Sequence, residues 1–335
     1  MKATFDGRWV WVGSDGRALY DQSGYGRPEK EGVKLAPEEA LYLVHRGRLE
    51  VAGHPFDRFL AVCAEKPNFL RSYLVYRDIR ERGYVIQTGP HDFRVFRRGQ
   101  RPGTGQSQYM VRVISERDMI DFSRLVREAT ASLNLRKQHV LAVVDDENEL
   151  TYYEVKMPTL PRIDQEAAEG NFRGELVGKY AIVRAAGPMA AIPATFGMQL
   201  DPERLVLAPL EILNLMHSGR LTLYGNGEPI DPGGYHRMAE ESDPEFPVKV
   251  AVYDDLRSRG FVPRTGYKFG HHFRGYSGKK VHSEMLVQAL PAGAALPMSA
   301  ISRSVRLAHS VKKKMLFGCE HTQGIQYVEF ARIKL

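Results

Sequence analysis

The chain carries one stretch of sequence twice, and this constrains its fold more than any other feature. Leu35-Ala36-Pro37 recurs as Leu207-Ala208-Pro209, and Gly47-Arg48-Leu49 recurs as Gly219-Arg220-Leu221. Both recurrences lie 172 residues apart. In each, a proline near the start and a glycine near the end of an apolar pattern at helical spacing predict a helix followed by a strand.

A second block repeats farther along the chain. The segment YLVYRDIRERGYVIQTG, around Tyr76, corresponds to VAVYDDLRSRGFVPRTG, around Tyr253, 177 residues later. Each segment predicts an amphipathic helix that ends at a glycine, Gly83 or Gly260, and leads into a strand. Shared residues at a nearly constant offset over two long blocks indicate an internal duplication. We therefore expect two tandem copies of one unit, called copy one and copy two below.

The later part of each copy is predicted as strand, strand, helix, strand, strand. In copy two the helix runs from about Ser299 to Val311, where apolar residues recur on one face. MLFGC and IQYVEFARIK follow as strands on either side of a turn at His321 to Gly324. Mixed strands crossed by one helix predict an α/β fold with mixed sheets. Each copy is expected to have a small N-terminal α/β lobe and a C-terminal nuclease-like lobe.

These patterns divide the chain into five predicted segments. They are an N-terminal lobe (1–65) and a degenerate nuclease-like lobe (66–157) of copy one, a linker (158–172), an N-terminal lobe (173–244) and a catalytic lobe (245–335) of copy two. A chain of 335 residues is long enough for several full cores.

The composition is that of a soluble globular protein, with 43% hydrophobic and 26% charged residues. The sequence contains no apolar run of the ~20 residues that a membrane span needs, and MKATFDGRWVW lacks the apolar core of a signal peptide. We expect a cytoplasmic protein. Cys63 and Cys319 are too few for a disulfide framework and lack the paired spacing of a zinc site.

Positive charge is concentrated at the end of the chain. Residues 245–335 contain 15 Lys and Arg against 6 Asp and Glu, a net charge of +9, whereas the rest of the chain contains 32 against 34. A basic module on a near-neutral body is what binding to a polyanion requires, although a solvated basic face would have the same composition.

The copies differ where chemistry would take place. Aligning HDFRVF with HHFRGY sets Phe96 opposite Tyr276, and aligning QSQYMVRV with HSEMLVQA sets Gln106 opposite His282. Copy one therefore lacks both the phenol and the imidazole. Lys137 would stand opposite Lys313, although this alignment needs a short insertion in the preceding helix of copy one. We expect copy one to be catalytically inactive.

Tyr276, His282 and Lys313 supply a phenol, an imidazole and an ammonium group, with no acidic cluster among them. That combination suits proton transfer around a phosphodiester without a metal. Each group also has a structural explanation, since a tyrosine can pack, a histidine can precede a strand, and a lysine run can complement a helix dipole. The joint loss of Tyr and His in copy one favours the catalytic interpretation.

These residues resemble those of the archaeal tRNA-splicing endonucleases, in the form with two fused repeats per chain. The resemblance rests on VYDDLRSRGFVPRTGYKFGHHFRGY, on VHSEMLV, and on SVRLAHSVKKK followed by the terminal strand. It covers most of the chain, because copy one follows the same pattern. The resemblance implies that Tyr276, His282 and Lys313 are the catalytic Tyr, His and Lys, and that no cofactor or metal is used.

The resemblance also implies partners. The substrate would be a precursor RNA folded as two bulges separated by a short helix, with Arg306 and Arg332 clamping a bulge base. The chain would form a homodimer through an acidic loop of copy one, which would dock into a basic cleft on copy two of the partner chain. That loop contains Asp145, Asp146, Glu147 and Glu149.

Cleavage of RNA through its own 2′-hydroxyl needs a base, an acid for the departing 5′-oxygen, and stabilisation of charge on phosphorus. Tyr276 would be the base, His282 the acid, and Lys313 the stabilising cation. The products would be a 2′,3′-cyclic phosphate and a 5′-hydroxyl.

Some features of this segment fit the family pattern less closely. Tyr276 and His282 are only six residues apart, so the loop between them is expected to be short. Lys312 and Lys314 compete with Lys313 for the same role. The neighbouring His271 and His272 have no role that the sequence assigns.

Two other functions remain open from the residues. Asp146 and the Glu154-Val155-Lys156 triplet occur in an order that some metal-dependent nucleases use, in which the carboxylates hold magnesium. An RNA-binding subunit without activity would also account for the charge.

Overall fold

The computed structural model describes residues 1–164, 170–184, 195–277 and 282–335. Residues 165–169 of the predicted linker lie outside this description. The chain forms two compact units, the first made of residues 1–157, 295–305 and 330–335, and the second of residues 158–294 and 306–329.

The helices alternate with groups of strands along the chain. The helices are α1 (Arg17–Ser23), α2 (Pro37–His45), α3 (Phe56–Ala64), α4 (Phe69–Glu81), α5 (Phe122–Asn134), α6 (Pro209–His217), α7 (Pro232–Ser242), α8 (Phe246–Ser258) and α9 (Met298–Ser310). None of these helices is both long and apolar enough to span a bilayer.

The strands of copy one are β1 (Lys2–Phe5), β2 (Val10–Val12), β3 (Arg27–Glu29), β4 (Gly32–Leu35), β5 (Glu50–Val51), β6 (Ile86–Thr88), β7 (Phe93–Phe96), β8 (Ser107–Ser115), β9 (Met119–Asp121), β10 (Gln138–Val144) and β11 (Leu150–Lys156). Those of copy two are β12 (Phe172–Val177), β13 (Tyr180–Arg184), β14 (Met198–Asp201), β15 (Arg204–Leu207), β16 (Leu221–Gly225), β17 (Glu228–Ile230), β18 (Phe261–Thr265), β19 (Phe273–Ser277), β20 (Met285–Leu290), β21 (Ala295–Pro297), β22 (Lys314–His321) and β23 (Gly324–Ile333).

The order of strands within the sheets repeats from copy to copy. The N-terminal sheet runs β3-β4-β2-β1-β5 in copy one and β14-β15-β13-β12-β16-β17 in copy two. The C-terminal strands run β6-β7-β8-β10-β11 and β18-β19-β20-β22-β23. The predicted α/β class with mixed sheets and two tandem repeats is confirmed, as are the helix and the two strands predicted near the end of copy two.

A buried glutamate starts the first long helix of each copy. Glu39 accepts hydrogen bonds from the backbone N–H of Ala36 at 2.9 Å and of Gly26 at 3.0 Å. Glu211 accepts the equivalent pair from Ala208 and Gly197, both at 2.9 Å. Each carboxylate therefore satisfies free N–H groups at a helix start and fixes the preceding loop. Burial raises the pKa of Glu39.

An arginine joins the two lobes within each copy. Arg80 of α4 donates from Nε to the Tyr76 hydroxyl at 3.0 Å and from an η-nitrogen to the Ser23 carbonyl at 3.0 Å. Its guanidinium also stacks 3.7 Å from the Tyr25 ring. Arg257 repeats these contacts in copy two with Tyr253, Thr195 and Phe196. Because Tyr76 and Tyr253 are buried, each pair anchors its lobe junction in the core.

Copy one buries a polar cluster that copy two lacks. The carboxylate of Glu128 of α5 accepts hydrogen bonds from an η-nitrogen and from Nε of Arg112, at 2.7 and 2.8 Å. It also lies 4.0 Å from Nε2 of His139. Nδ1 of His139 lies 3.3 Å from the Ser132 hydroxyl, and its ring lies 5.0 Å from that of His91. Burial lowers the pKa of His139 to about 4, with the charge of His91 acting in the same direction.

We expect this histidine to make copy one sensitive to acid. In the unfolded chain His139 takes up a proton near pH ~6.5, but in the folded chain only near pH 4, so folded stability is lost as the pH falls through that interval. The loss is at most about 3 kcal/mol. His139→Met, which introduces the residue found at the equivalent Met315 of copy two, should remove it.

The measurement is the denaturant midpoint of wild type and His139→Met at pH 7 and pH 4.5. Titration of carboxylates is common to both proteins, so the difference between them isolates His139. Equal losses on acidification in both would contradict the assignment.

Candidate active site

The turn that ends α9 positions Lys313. After Ser310 the backbone enters the left-handed region at Lys312, with φ of 56°. The N–H of Lys312 donates to the His309 carbonyl at 3.0 Å, and that of Lys313 donates to the Ala308 carbonyl at 2.8 Å. These two bonds form a Schellman motif, which ends the helix and turns the chain into β22.

Among the three consecutive lysines, only Lys313 reaches the residue after His282. Its Nζ donates to the Ser283 carbonyl at 2.8 Å. Lys312 occupies the left-handed position of the turn and is exposed, and the Lys314 ammonium lies 3.6 Å from the carboxylate of Glu329. The Ser283 contact thus distinguishes Lys313 from Lys312 and Lys314, which the sequence left as alternatives.

Copy one keeps the same turn and the same lysine contact. Arg136 has φ of 56°, and Lys137 Nζ donates to the Ser107 carbonyl at 2.7 Å. The expected insertion in the preceding helix is wrong, because α5 and α9 are both 13 residues long. Lys137 and Lys313 lie 176 residues apart, as do Gln106 and His282. The changes of offset fall in loops instead.

His282 and Lys313 line one cavity in the second unit, of about 1480 Å³. We call it the His282 cavity. His282 is exposed there, whereas Ser283 behind it is buried. Glu284 and Glu329 also line the cavity. An imidazole open to solvent and a fixed ammonium therefore face the same space.

Tyr276 does not line the His282 cavity, although its neighbour Ser277 does. It lies half-buried on β19, where it pairs with Val262 of β18. The Arg274 guanidinium lies 5.7 Å from the Tyr276 ring centroid. Residues 278–281, between Tyr276 and His282, lie outside the described part of the chain.

Phe96, at the position equivalent to Tyr276, lies in the core of copy one. Phe96 is 4% exposed, and its ring centroid lies 5.9 Å from the Arg94 guanidinium. The arginine beside the ring is thus present in both copies, and only the hydroxyl differs. A buried phenylalanine can supply no proton acceptor.

The linker forms a wall of the His282 cavity, which the sequence did not indicate. Pro158, Leu160, Pro161 and Ile163 all line it. The Ile163 N–H donates to the Arg259 carbonyl at 2.8 Å, so this part of the linker is fixed to the second unit. The available signal was the run PTLPRI, whose apolar residues are unusual for a solvated connector.

Gly260 makes the close approach of the linker possible. It has φ of +81°, and a Cβ at this position would lie 1.9 Å from the Ile163 carbonyl oxygen. Gly83, the equivalent glycine of copy one, has φ of +85° and no atom within 4 Å of such a Cβ. The two glycines share a backbone conformation but differ in what surrounds them.

His272 makes a structural hydrogen bond. His272 Nδ1 accepts the Ala289 N–H at 3.1 Å, as the carboxylate of Asp92 accepts the Val113 N–H at 2.8 Å in copy one. His271 is buried, and its Nε2 has no hydrogen-bond partner among the described residues. Burial lowers the pKa of both histidines.

A second recess in the second unit carries excess positive charge. We call this recess of about 520 Å³ the cationic cleft; its basic lining residues are Lys179, Lys249, Arg264 and Arg274. Arg264 pairs with Glu211 at 2.9 Å, and Lys249 pairs with Asp243 at 2.9 Å.

Copy one lacks part of this positive charge, although Arg94 stands at the position equivalent to Arg274. Gln87 corresponds to Arg264, Ser72 to Lys249, and Asp92 to His272. Copy two also inserts one turn of 3-10 helix, Tyr267–Phe269, where copy one passes directly from Gly89 to Pro90. The cleft of copy two is therefore more basic than the equivalent region of copy one.

The proposed RNA-binding arginines have no ion-pair or hydrogen-bond partner among the residues that the structure describes. Arg306 on α9 and Arg332 near the end of β23 are both exposed. Neither forms an ion pair or a side-chain hydrogen bond with any residue that the structure describes. Each guanidinium is therefore available to a ligand.

The acidic loop between β10 and β11 uses part of its charge internally. The Asp145 carboxylate accepts the N–H groups of Glu147 and Glu149, at 3.0 and 2.8 Å. Asp146 pairs with Arg117 of the same unit. The carboxylates of Glu147 and Glu149 are exposed and have no ion-pair partner within the described residues.

Comparison with known proteins identifies the family. The model of the tRNA intron endonuclease catalytic C-terminal domain matches residues 69–152 and 246–327, and that of the N-terminal domain matches residues 1–59. A tRNA-splicing endonuclease of Methanococcoides burtonii is 37% identical over 334 residues, with 95% of each chain covered. The chain belongs to the tRNA intron endonuclease family. It is an enzyme of that family, as the sequence predicted.

Other members of the family match over their full length. A tRNA-splicing endonuclease of Methanosarcina acetivorans is 36% identical with all of both chains covered, and one of Natronomonas pharaonis is 36% identical with 97% of each covered. The catalytic-domain model matches both copies, which confirms the duplication. Catalytic roles for individual residues do not follow from these matches and stay predictions.

We expect Gly260→Ala to destabilise the protein more than Gly83→Ala. Both variants force alanine into a left-handed conformation, which costs about 1 kcal/mol. Gly260→Ala also drives a methyl group into the Ile163 carbonyl, which should add about 1–3 kcal/mol and displace the linker wall. Denaturant titration of both variants measures the difference. Equal losses would show that the linker is not held against Gly260.

Proposed function

We propose that this endonuclease cuts precursor tRNA at both intron boundaries within a bulge-helix-bulge motif. The reaction uses the RNA's own 2′-hydroxyl, needs no metal ion, and gives 2′,3′-cyclic phosphate and 5′-hydroxyl ends. The observation that carries the proposal is that His282 and Lys313 line one cavity in copy two, while copy one keeps the lysine contact without the histidine.

The chemistry follows from the groups present. Tyr276 takes the proton of the 2′-hydroxyl, and the Arg274 guanidinium lies 5.7 Å from the centroid of its ring. His282, open to solvent on the cavity wall, donates a proton to the departing 5′-oxygen. Lys313, held by the Ser283 carbonyl, retains N–H groups that can stabilise charge on the phosphorane.

Two cuts imply two catalytic cavities. We propose one in each chain of a homodimer, since copy one lacks the phenol and the imidazole. The acidic loop of one chain would dock in the cationic cleft of its partner. Glu147 and Glu149 are the carboxylates free to make this contact, because Asp145 and Asp146 are engaged within their own unit.

RNA binding is proposed for Arg306 and Arg332. An exposed guanidinium plane stacks well on an unpaired base, with a contribution of about 1 kcal/mol or more. The division of the chain into five segments and the cytoplasmic location also stay predictions.

The metal-dependent alternative would use Asp146, Glu154 and Lys156. Asp146 is paired with Arg117, and Glu154 accepts a hydrogen bond from Gln138 at 2.7 Å and pairs with Lys156 at 3.2 Å. The carboxylate of Asp146 is thus bound to Arg117, and that of Glu154 is bound to Lys156 and to the Gln138 amide. This arrangement favours a structural role for all three residues.

We expect His282→Ala to slow cleavage of a precursor tRNA by at least about 100-fold in excess EDTA, because the leaving oxygen loses its acid. Wild type should cut under the same conditions and leave cyclic phosphate and 5′-hydroxyl ends. His321→Ala, which removes an exposed histidine from the end of β22, is the matched control and should cut at the wild-type rate.

Two results would count against this mechanism. Cleavage that requires added magnesium would shift attention to Asp146 and Glu154. Cleavage that survives His282→Ala would remove His282 from the chemistry.

We expect charge reversal in the acidic loop to dissociate the dimer. Glu147→Lys with Glu149→Lys places positive charge opposite the cationic cleft, and like charges repel. The control is Asp15→Lys with Glu31→Lys, which makes the same change at two exposed positions of the first unit. Sedimentation velocity should give a monomer for the loop variant and a dimer for the control. A dimer in both would place the interface elsewhere.

A further inference from the structure

Copy one retains a pocket at the position that is catalytic in copy two. Its volume is about 590 Å³, within the ~300–1,000 Å³ typical of ligand sites. We call it the Gln106 pocket. Gln106 and Ser107, which line it, are the counterparts of His282 and Ser283. Loss of catalysis has therefore not been accompanied by closure of the site.

The lining of the Gln106 pocket is cationic. Its side chains include Arg97 and Arg136, four glutamines (100, 106, 108 and 138) and no acidic group. Both arginines are exposed, and neither guanidinium has an ion-pair or hydrogen-bond partner in the described part of the chain. Two unpaired guanidinium groups on one concave surface are suited to phosphate, which they bind through paired N–H groups.

The two arginines are held by different parts of the fold. Arg136 sits at the left-handed position of the turn after α5, the place that Lys312 occupies after α9. Arg97 begins the loop 97–106 that joins β7 to β8, and this loop also contains Arg98 and Arg101 but no acidic residue. It is four residues longer than its counterpart in copy two, since Phe96 and Gln106 are ten residues apart and Tyr276 and His282 are six apart.

The glutamines add hydrogen-bonding capacity without acid–base capacity. Gln108 donates to Gln138 at 2.9 Å, and Gln138 donates to Glu154 at 2.7 Å, so these two amides are oriented. Amide groups offer both donors and acceptors, as base edges and ribose hydroxyls require, but they do not transfer protons near neutral pH. The lining can thus bind RNA but cannot cut it by the chemistry of copy two.

We propose that the Gln106 pocket is a second RNA-binding site, which holds a segment of the substrate RNA through Arg97 and Arg136 without cleaving it. This inference rests on the proposed function, because it takes the RNA to be the precursor tRNA. The C-terminal lobe of copy one then binds RNA away from the cleavage site, and copy two alone performs the chemistry.

The first test measures affinity for a precursor tRNA in the His282→Ala background, which prevents turnover. Arg97→Ala with Arg136→Ala should raise Kd by at least about tenfold at fixed salt. The slope of log K against log salt concentration should also become shallower by about one to two. The control is Arg46→Ala with Arg58→Ala, which removes two exposed arginines that do not line the pocket, and Kd should change less than about twofold. Equal effects of the two pairs would overturn the proposal.

The second test asks whether RNA contacts the pocket directly. Cys63 and Cys319 are buried, and burial raises the pKa of both thiols to about 12, so a cysteine introduced at an exposed position is the reactive one. Gln106→Cys and, separately, His282→Cys are labelled with a short aryl azide and irradiated with precursor tRNA. We expect both to crosslink, His282→Cys at an intron boundary and Gln106→Cys at a different segment.

The two crosslinks separate the inference from the proposed function. A crosslink from position 282 but none from position 106 would overturn the second site and leave the proposed function standing. No crosslink from either position would remove the proposed function, and the second site with it.

Discussion

The hydrogen bond from Lys313 to the Ser283 carbonyl is the contact on which the proposed site depends. It joins the residue before β22 to the second residue before β20, and the Schellman turn after α9 directs the side chain there. The same bond occurs in copy one between Lys137 and Ser107. The lysine is therefore a structural element of the lobe in both copies. In copy two His282 lines the same cavity as this lysine, whereas copy one has Gln106 at the equivalent position.

Comparison of the two copies distinguishes contacts that the fold requires from side chains that only the proposed chemistry requires. Both copies keep the buried glutamate that starts a helix, the arginine that joins the lobes, and the lysine contact. These groups satisfy buried donors and acceptors, so losing any of them would leave unpaired polar groups in the interior. The phenol and the imidazole, in contrast, are present in copy two and absent at the equivalent positions of copy one.

Packing against the core of the second unit places the linker in the lining of the His282 cavity. Leu160 and Ile163 contact the core of the second unit, and Gly260 allows the backbone to approach within the space a side chain would fill. Leu160 and Ile163 form an apolar part of the lining of the cavity that His282 also lines. Precise placement of reacting groups is favoured by such a fixed surface.

The sequence by itself determined the duplication, the class of fold, and the loss of the phenol and imidazole from copy one. These follow from local patterns and from residue identity at a constant offset, which need no knowledge of distant contacts. Because helix and strand periodicity are local, the helix and strands near the end of copy two were also predictable.

Only the tertiary structure decided which of the three lysines contacts the Ser283 carbonyl, since a single left-handed residue, Lys312, sets the direction of the next side chain. It also showed that the linker lines the site, and that His272 accepts a backbone hydrogen bond as Asp92 does in copy one. The sequence alignment wrongly placed an insertion in α5 because two loops differ in length between the copies in opposite senses. Copy two is longer before β19, and copy one is longer between β7 and β8. Loop lengths are not constrained by periodicity, so pairing of strands in space was needed to fix the alignment.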